Sequence, residues 1–121
     1  MRWFRQLGLL DEGPAPLTSL VAPDAVIRGT PFQITVSTFG SASSTRPDGH
    51  DVAASQAAIE VRLYDASVPS LTPVTRDYLG FPRTLTVQFD QPGIAVIRVV
   101  GRGGGVNGQA PRTITKTIKV Q

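Results

Sequence analysis

His50 is the sole histidine of the chain, and it stands between Asp48 and Asp51. Imidazole and carboxylate groups so close together could begin a metal site. Tetrahedral or oxygen-rich coordination would need further ligands from distant segments, however, and the remaining aspartates (Asp65, Asp77, Asp90) stand singly. Within the turn sequence Arg46-Pro47-Asp48-Gly49 the same residues read as a solvated loop tip, so no metal is expected. Nucleophilic catalysis fares no better. Ser41, Ser43 and Ser44 lie in no G-x-S-x-G elbow, and His50 is the single imidazole base available. A carboxylate pair for glycoside hydrolysis would rest on Glu60, on a strand, with no defined second member. The run Gly101-Arg102-Gly103-Gly104-Gly105 invites comparison with phosphate-cradling loops. It lacks the Lys-Ser/Thr pair and leads through Pro111 into a strand, where a phosphate loop needs a helix N-terminus. The expectation is a protein that is not an enzyme and holds no cofactor.

The elements that would position these groups are strands. Residues 83–89 (RTLTVQF) alternate strictly, with Leu85, Val87 and Phe89 on one face. Asp90-Gln91-Pro92-Gly93 supplies a turn, because proline fixes φ and glycine tolerates positive φ. Residues 94–100 form a second strand, 101–111 a loop, and 113–120 (TITKTIKV) a closing strand. Upstream, 17–22 reads as a short strand broken at Pro23-Asp24. Val26-Ile27 then leads into 31–39, where Phe32, Ile34 and Val36 share a face, and 57–64 presents Ile59, Val61 and Leu63. The polar stretch 40–56 and the proline-bearing stretch 65–82 read as long connections, the second with room for an edge strand at 71–75. The core expected from these patterns is Phe32, Ile34, Val36, Ile59, Val61, Leu63, Leu85, Val87, Phe89, Ile97 and Val99.

The order of the final strands, with their Pro-Gly corner and Thr/Lys-rich terminus, resembles a bacterial immunoglobulin-like domain. So does the opening, a short apolar strand followed by a Gly-Thr-Pro step and a long alternating strand. The resemblance covers residues 17–121 and implies an all-β, immunoglobulin-like antiparallel β-sandwich of about seven strands. The cysteine pair and core tryptophan of antibody domains are absent, since the chain has no cysteine and its one tryptophan is Trp3.

Bulk properties agree with one such domain. The chain has 121 residues, of which 40% are apolar, while 12 glycines and 10 prolines mark frequent turns. Lack of cysteine rules out disulfides and thiolate chemistry. No apolar run reaches the roughly 18 residues of a membrane-crossing helix. The start (MRWFRQLGLLDEG) begins like an export signal but breaks off at Asp11-Glu12, so no cleavable signal is expected. Residues 1–16 read as an N-terminal arm and Pro-rich linker. On a helix of residues 1–10, Trp3, Phe4, Leu7 and Leu10 would share a face flanked by Arg2 and Arg5. Such an arm would enter a partner's groove or a membrane surface, or fold back over the open end of the sandwich.

Two further features exceed what a solvated sandwich needs. Residues 93–121 carry Arg98, Arg102, Arg112, Lys116 and Lys119 and no acid. The strand 94–100 is apolar on both faces, with Ile94, Val96 and Val100 opposite the core-facing set and only Arg98 between them. The partner-binding set expected is therefore Trp3, Phe4, Leu7, Leu10, Ile94, Val96, Arg102, Arg112, Lys116 and Lys119. Nucleic acid is disfavoured as a partner because the basic strands contain no aromatic on which bases could stack. The expectation is a structural or accessory subunit docked on other protein subunits, peripheral to a membrane or bound within an assembly such as a photosynthetic or respiratory complex. The side of the membrane stays open. The alternatives are a carbohydrate- or ligand-binding module and a phage structural or decoration protein.

Overall fold

The computed structural model describes residues 3–11, 18–40, 45–67, 79–103 and 111–121. Nine strands occur among them: β1 Phe4–Leu7, β2 Leu20–Val21, β3 Ala25–Val26, β4 Phe32–Gly40, β5 Thr45–Ala54, β6 Ala58–Ser67, β7 Leu79–Val87, β8 Gly93–Arg102 and β9 Pro111–Val120. The alternating segments become strands because each can turn one apolar row inward. Residues 85, 87 and 89, or 59, 61 and 63, then meet a facing sheet while their neighbours remain wet. No helix is present among the described residues.

The strands form two sheets. The smaller is β2-β4-β7, antiparallel throughout, with Phe32 opposite Val87 and Gly40 opposite Leu79. The larger follows the order β1-β6-β8-β9-β3, with β5 added beside β6. Residues of both sheets build one core around Ile34, Val36, Ile59, Val61, Leu63, Ile97, Val99 and Ile118. All eleven residues expected in the core belong to it or pack on it, Phe32, Leu85 and Val87 being only partly buried. Phe32 stacks on Phe89 at 5.9 Å between ring centroids, which seals the core beside the Pro-Gly corner. Gly93 there has φ 123°, a conformation that a side chain would strain. The arrangement is all-β and compatible with a β-sandwich.

Three sequence expectations change. First, residues 4–7 are strand, not helix. β1 runs antiparallel to β6 with Phe4 opposite Ser67 and Leu7 opposite Tyr64, because that stretch of β6 has an open edge whose backbone groups need partners. Second, the polar stretch 40–56 is mostly strand. β5 pairs with β6 from Thr45↔Ser67 to Ala54↔Ile59, with an irregularity between Pro47 and His50. Gly49 sits in that irregularity at φ 91°, the geometry of a bulge. Third, pairing is not antiparallel throughout. β6 runs parallel to β8, with Ala58 opposite Val96 and Arg62 opposite Val100, and β3 runs parallel to β9. β6 and β8 run parallel because a single strand of the other sheet, β7, lies between them in the chain. The linker at 13–16, the suggested edge strand at 71–75 and the tip of the glycine loop at 104–110 lie outside the described residues.

Candidate functional site

β6 has one edge paired with β5 along most of its length, interrupted at Tyr64, and another that is divided. Residues 58–62 pair with β8, and residues 64–67 pair with β1. The N-terminal strand therefore enters where β8 leaves. Beyond Leu7 the chain crosses toward the small sheet. The Gly8 amide donates to the Leu63 carbonyl at 2.8 Å, Arg102 and Gly8–Leu10 exchange backbone hydrogen bonds, and the Phe39 amide donates to the Leu9 carbonyl at 3.0 Å. Asp11 and Ser19 then clip the segment to β2: the Asp11 amide donates to Ser19 Oγ, and the Ser19 amide to the Asp11 carbonyl.

Beneath this crossing lies a buried polar cluster. Asp65 is wholly buried, and its Oδ1 accepts from the Thr38 hydroxyl at 2.8 Å and from Arg83 at 2.9 Å. Arg83 also donates to the Tyr64 carbonyl at 2.8 Å. Asp65 Oδ2 has no hydrogen-bond partner among the described residues. Burial pushes the Asp65 carboxyl above its ordinary value, against the lowering effect of the Thr38 and Arg83 hydrogen bonds and of the charges on Arg83 and Arg102. Burial lowers the Arg102 guanidinium in turn, and the charge of Asp65 opposes that. Gly8 passes directly over the cluster. A Cβ there would lie 2.8 Å from Thr38 Cβ and 3.0 Å from Asp65 Oδ2, so only glycine fits.

The residues expected to bind partners are sorted by these elements onto different sides. Leu10 is 2% exposed and belongs to the core, so it offers nothing to a partner's groove. Arg102 Nε donates to the Leu7 carbonyl and Arg112 to the Leu10 carbonyl, which places both guanidiniums on the N-terminal crossing. Lys116 lies in register with the core residue Ile97 and reaches Asp24 at 2.7 Å. An inward-leaning, paired lysine suits a strand near the sheet edge. Trp3 (36% exposed), Phe4 and Ile94 (67%) stand on the surface, and Lys119, beside Ile94, is also exposed. Leu7 and Val96 are half-buried. The doubly apolar row of β8 is thus divided, since Val100 is buried while Ile94 at the other end is bare.

What the register brings together is the outward face of the large sheet. Arg5 and Arg46 flank Ala66 from the two sides of β6, Arg62 lies between Asp51 and Val100, and Arg98 lies between Glu60 and Thr115. The Arg5 guanidinium sits 4.1 Å over the Tyr64 ring, and that of Arg46 sits 4.4 Å over Trp3. Each ring thus carries a cation against it, and Arg5 Nε also donates to the Asp48 carbonyl at 3.3 Å. Arg5 also pairs with Asp48 and Arg62 with Glu60, both at 3.5 Å and both half-exposed. A shallow depression of about 250 Å³ opens beside Arg98 and Glu60, closed on its other side by the end of the β5–β6 hairpin.

Sequence reasoning missed Arg5, Arg46, Arg62 and Tyr64 as members of one face. They come from three strands, one of them read as loop and one as helix. The alternation of 57–64 did place Arg62 and Tyr64 opposite the core, which was the available signal. Among the described residues no group of three or more His, Cys, Asp or Glu side chains is placed to hold a metal ion. Also among them, no helix is long and apolar enough to cross a membrane. No family model matches the chain, and searches of curated proteins and of solved structures return no match.

Proposed function

We propose that this protein is a non-catalytic docking subunit of a larger assembly, built on an immunoglobulin-like sandwich. The fold reading is supported by the strand order. β2-β4-β7 corresponds to one sheet of such a domain and β6-β8-β9 to the other, with β3 running beside β9. β5 and the parallel contact of β6 with β8 are departures from that plan.

The observation that carries the docking reading is the exposure of Trp3 and Phe4 on a strand whose far end is fastened into the core. Large aromatics on a fixed strand lose little freedom on binding and are the residue types that anchor interfaces. Arg5 and Arg46 lie on the same face as Trp3, with Phe4 turned to the other side of the strand, and supply charge complementarity, which favours a protein or membrane surface carrying acidic groups.

The test is the size of the native species in the source cell, for the wild type and for a Trp3→Ala, Phe4→Ala double variant. Each aromatic buried against a partner contributes about 1.5–3 kcal/mol, so the double variant should bind at least about a hundredfold more weakly. It should run as a free monomer with an unchanged melting point. Unaltered retention in a large species would move the contact away from β1.

A further inference from the structure

We propose that the outward face of the large sheet binds an extended single strand of nucleic acid, with bases stacking at Trp3 and phosphates meeting Arg46, Arg98 and Lys119. This rests on the docking reading and names the chemistry of one partner. Read along the chain, the basic C-terminal strands lack the aromatics that sequence-tolerant binding requires. The fold supplies them from elsewhere. Trp3 and Tyr64 are carried by or beside β1 and β6 onto the same face as Arg98 of β8 and Lys119 of β9.

Three properties favour this occupant. The first is uncompensated charge. Arg5 pairs with Asp48, Arg62 pairs with Glu60, and Arg98 has Glu60 opposite it in register, so three arginines share two acids, while Arg46 and Lys119 have no acidic partner within ion-pair distance among the described residues. The second is extent. From the Ala66 row, which holds Arg46, to the Glu60 row, which holds Arg98, the track runs six residues of β6, or about 20 Å. An extended polymer can span that distance and a small anion cannot. The third is the planar surface. The Arg46 guanidinium lies over Trp3, and bases stack on guanidinium planes as well as on rings. Exposed Thr113, Thr115 and Thr117 border the track on β9 as neutral hydrogen-bonding groups, and the depression between Arg98 and Glu60 gives a splayed base a place to settle, with Glu60 as an acceptor for its N–H groups.

Trp3 is the only tryptophan in the chain, so its fluorescence reports on this face alone. The experiment titrates the purified full-length protein with a fluorescein-labelled oligothymidylate across a salt series, following anisotropy and Trp3 emission. Saturable binding with Trp3 quenching is expected. The slope of log affinity against log salt should be about −2, the value for roughly three phosphate contacts on a single strand. Arg46→Gln with Arg98→Gln should weaken binding at least tenfold, and Trp3→Leu at least fivefold, each with an unchanged melting point. Inorganic polyphosphate, which has no bases, should bind more weakly and be indifferent to Trp3→Leu. Absence of saturable binding at low salt overturns the proposal. So does binding of polyphosphate or an acidic peptide as tightly as the oligonucleotide, which would make the face a general anion or acidic-protein surface. If the oligonucleotide fails while Trp3→Ala, Phe4→Ala still releases the chain from its native assembly, the nucleic-acid proposal falls and the docking reading stands.

Discussion

β6 is completed by two different neighbours, and the two contacts are built on opposite principles. Where it meets β8, Ile59 and Val61 lie in register with Ile97 and Val99, all of them buried, and the contact is apolar on its core side. Where it meets β1, the core side holds Asp65 with Thr38 and Arg83, roofed by Gly8. The first contact tolerates any well-fitting aliphatic side chain. The second requires particular groups, since a buried carboxylate is destabilising unless a cation and hydrogen bonds meet it. The apolar contact supplies cohesion. The polar one fixes where the N-terminal strand enters, and hence where Trp3 and Phe4 stand.

The sharpest way to break that contrast is to remove one partner of the polar contact. Arg83→Ala should destabilise the protein by about 3–5 kcal/mol near neutral pH, because Asp65 is left buried and charged. Acid should relieve part of the loss. The Asp65 carboxyl is already raised above its ordinary value near 3.8, so the folded state holds its proton at higher pH than the unfolded chain does. Its contribution to stability is fully present below about 3.8 and is lost as pH rises through the folded value. Asp24, lowered by Lys116, works in the opposite sense and only below 3.8, where its contribution disappears as pH falls. Urea titrations of wild type and Arg83→Ala from neutral pH to pH 4 should therefore converge. Parallel curves would mean that Asp65 is not the charge Arg83 serves.

Next in size is the crossing itself. Gly8→Ala places a methyl group against the Thr38 side chain and Asp65 Oδ2, and overpacking of this kind costs about 1–3 kcal/mol. A Gly8→Ala, Thr38→Ser double variant removes the Thr38 methyl while keeping the hydroxyl that bonds Asp65, so it should recover part of that loss in a thermal melt, the contact with the residue 38 Cβ remaining. Absence of any rescue would place the conflict on the residue 38 Cβ and Asp65 Oδ2 and not on the Thr38 methyl.

Within the apolar contact the effects are smaller and graded by burial. Val61→Ala, at a fully buried site, should cost about 2 kcal/mol. Val87→Ala, at a half-buried site of β7, should cost about 1 kcal/mol. Equal losses in chemical denaturation would show that β7 is sealed more tightly than its surface exposure implies.

The same contrast explains what could be read from the residues alone. The apolar contact was legible because alternation over 57–64, 83–89 and 94–100 states which side chains turn inward. The entry of β1 was not. Trp3, Phe4, Leu7 and Leu10 satisfy a helical spacing, and only the vacant edge of β6 at 64–67, set by pairings distant in sequence, makes the segment a strand. β5 was hidden for the complementary reason. Every residue of it after Thr45 is exposed, so neither face imposes an apolar period, and Pro47 and Gly49 mimic a loop. The candidate site inherits both difficulties, because Arg5 and Arg46 sit on those two strands. Arg112 and Lys116, conspicuous as charges in the sequence, turned out to be engaged within the fold.

The smallest expected effect separates charges held by the fold from charges offered to a partner. Lys119 is exposed on the outward face beside Ile94, with no acidic partner among the described residues, whereas Arg112 donates to the Leu10 carbonyl over the N-terminal crossing. Lys119→Glu should therefore leave the melting point unchanged and weaken docking only a few-fold, most visibly at low salt, because exposed charges steer association more than they stabilise folding. Arg112→Glu should lower the melting point as well, since the carboxylate would face a carbonyl oxygen that had a donor. Lys116→Gln belongs with Lys119 in stability despite its contact with Asp24, which lies almost fully in water. Thermal melts of the three variants beside their partner affinities in a salt series supply the comparison. If Lys119→Glu lowers the melting point as much as Arg112→Glu, the outward face is itself part of what holds the sheet edge together, and its role as a docking surface loses its main support.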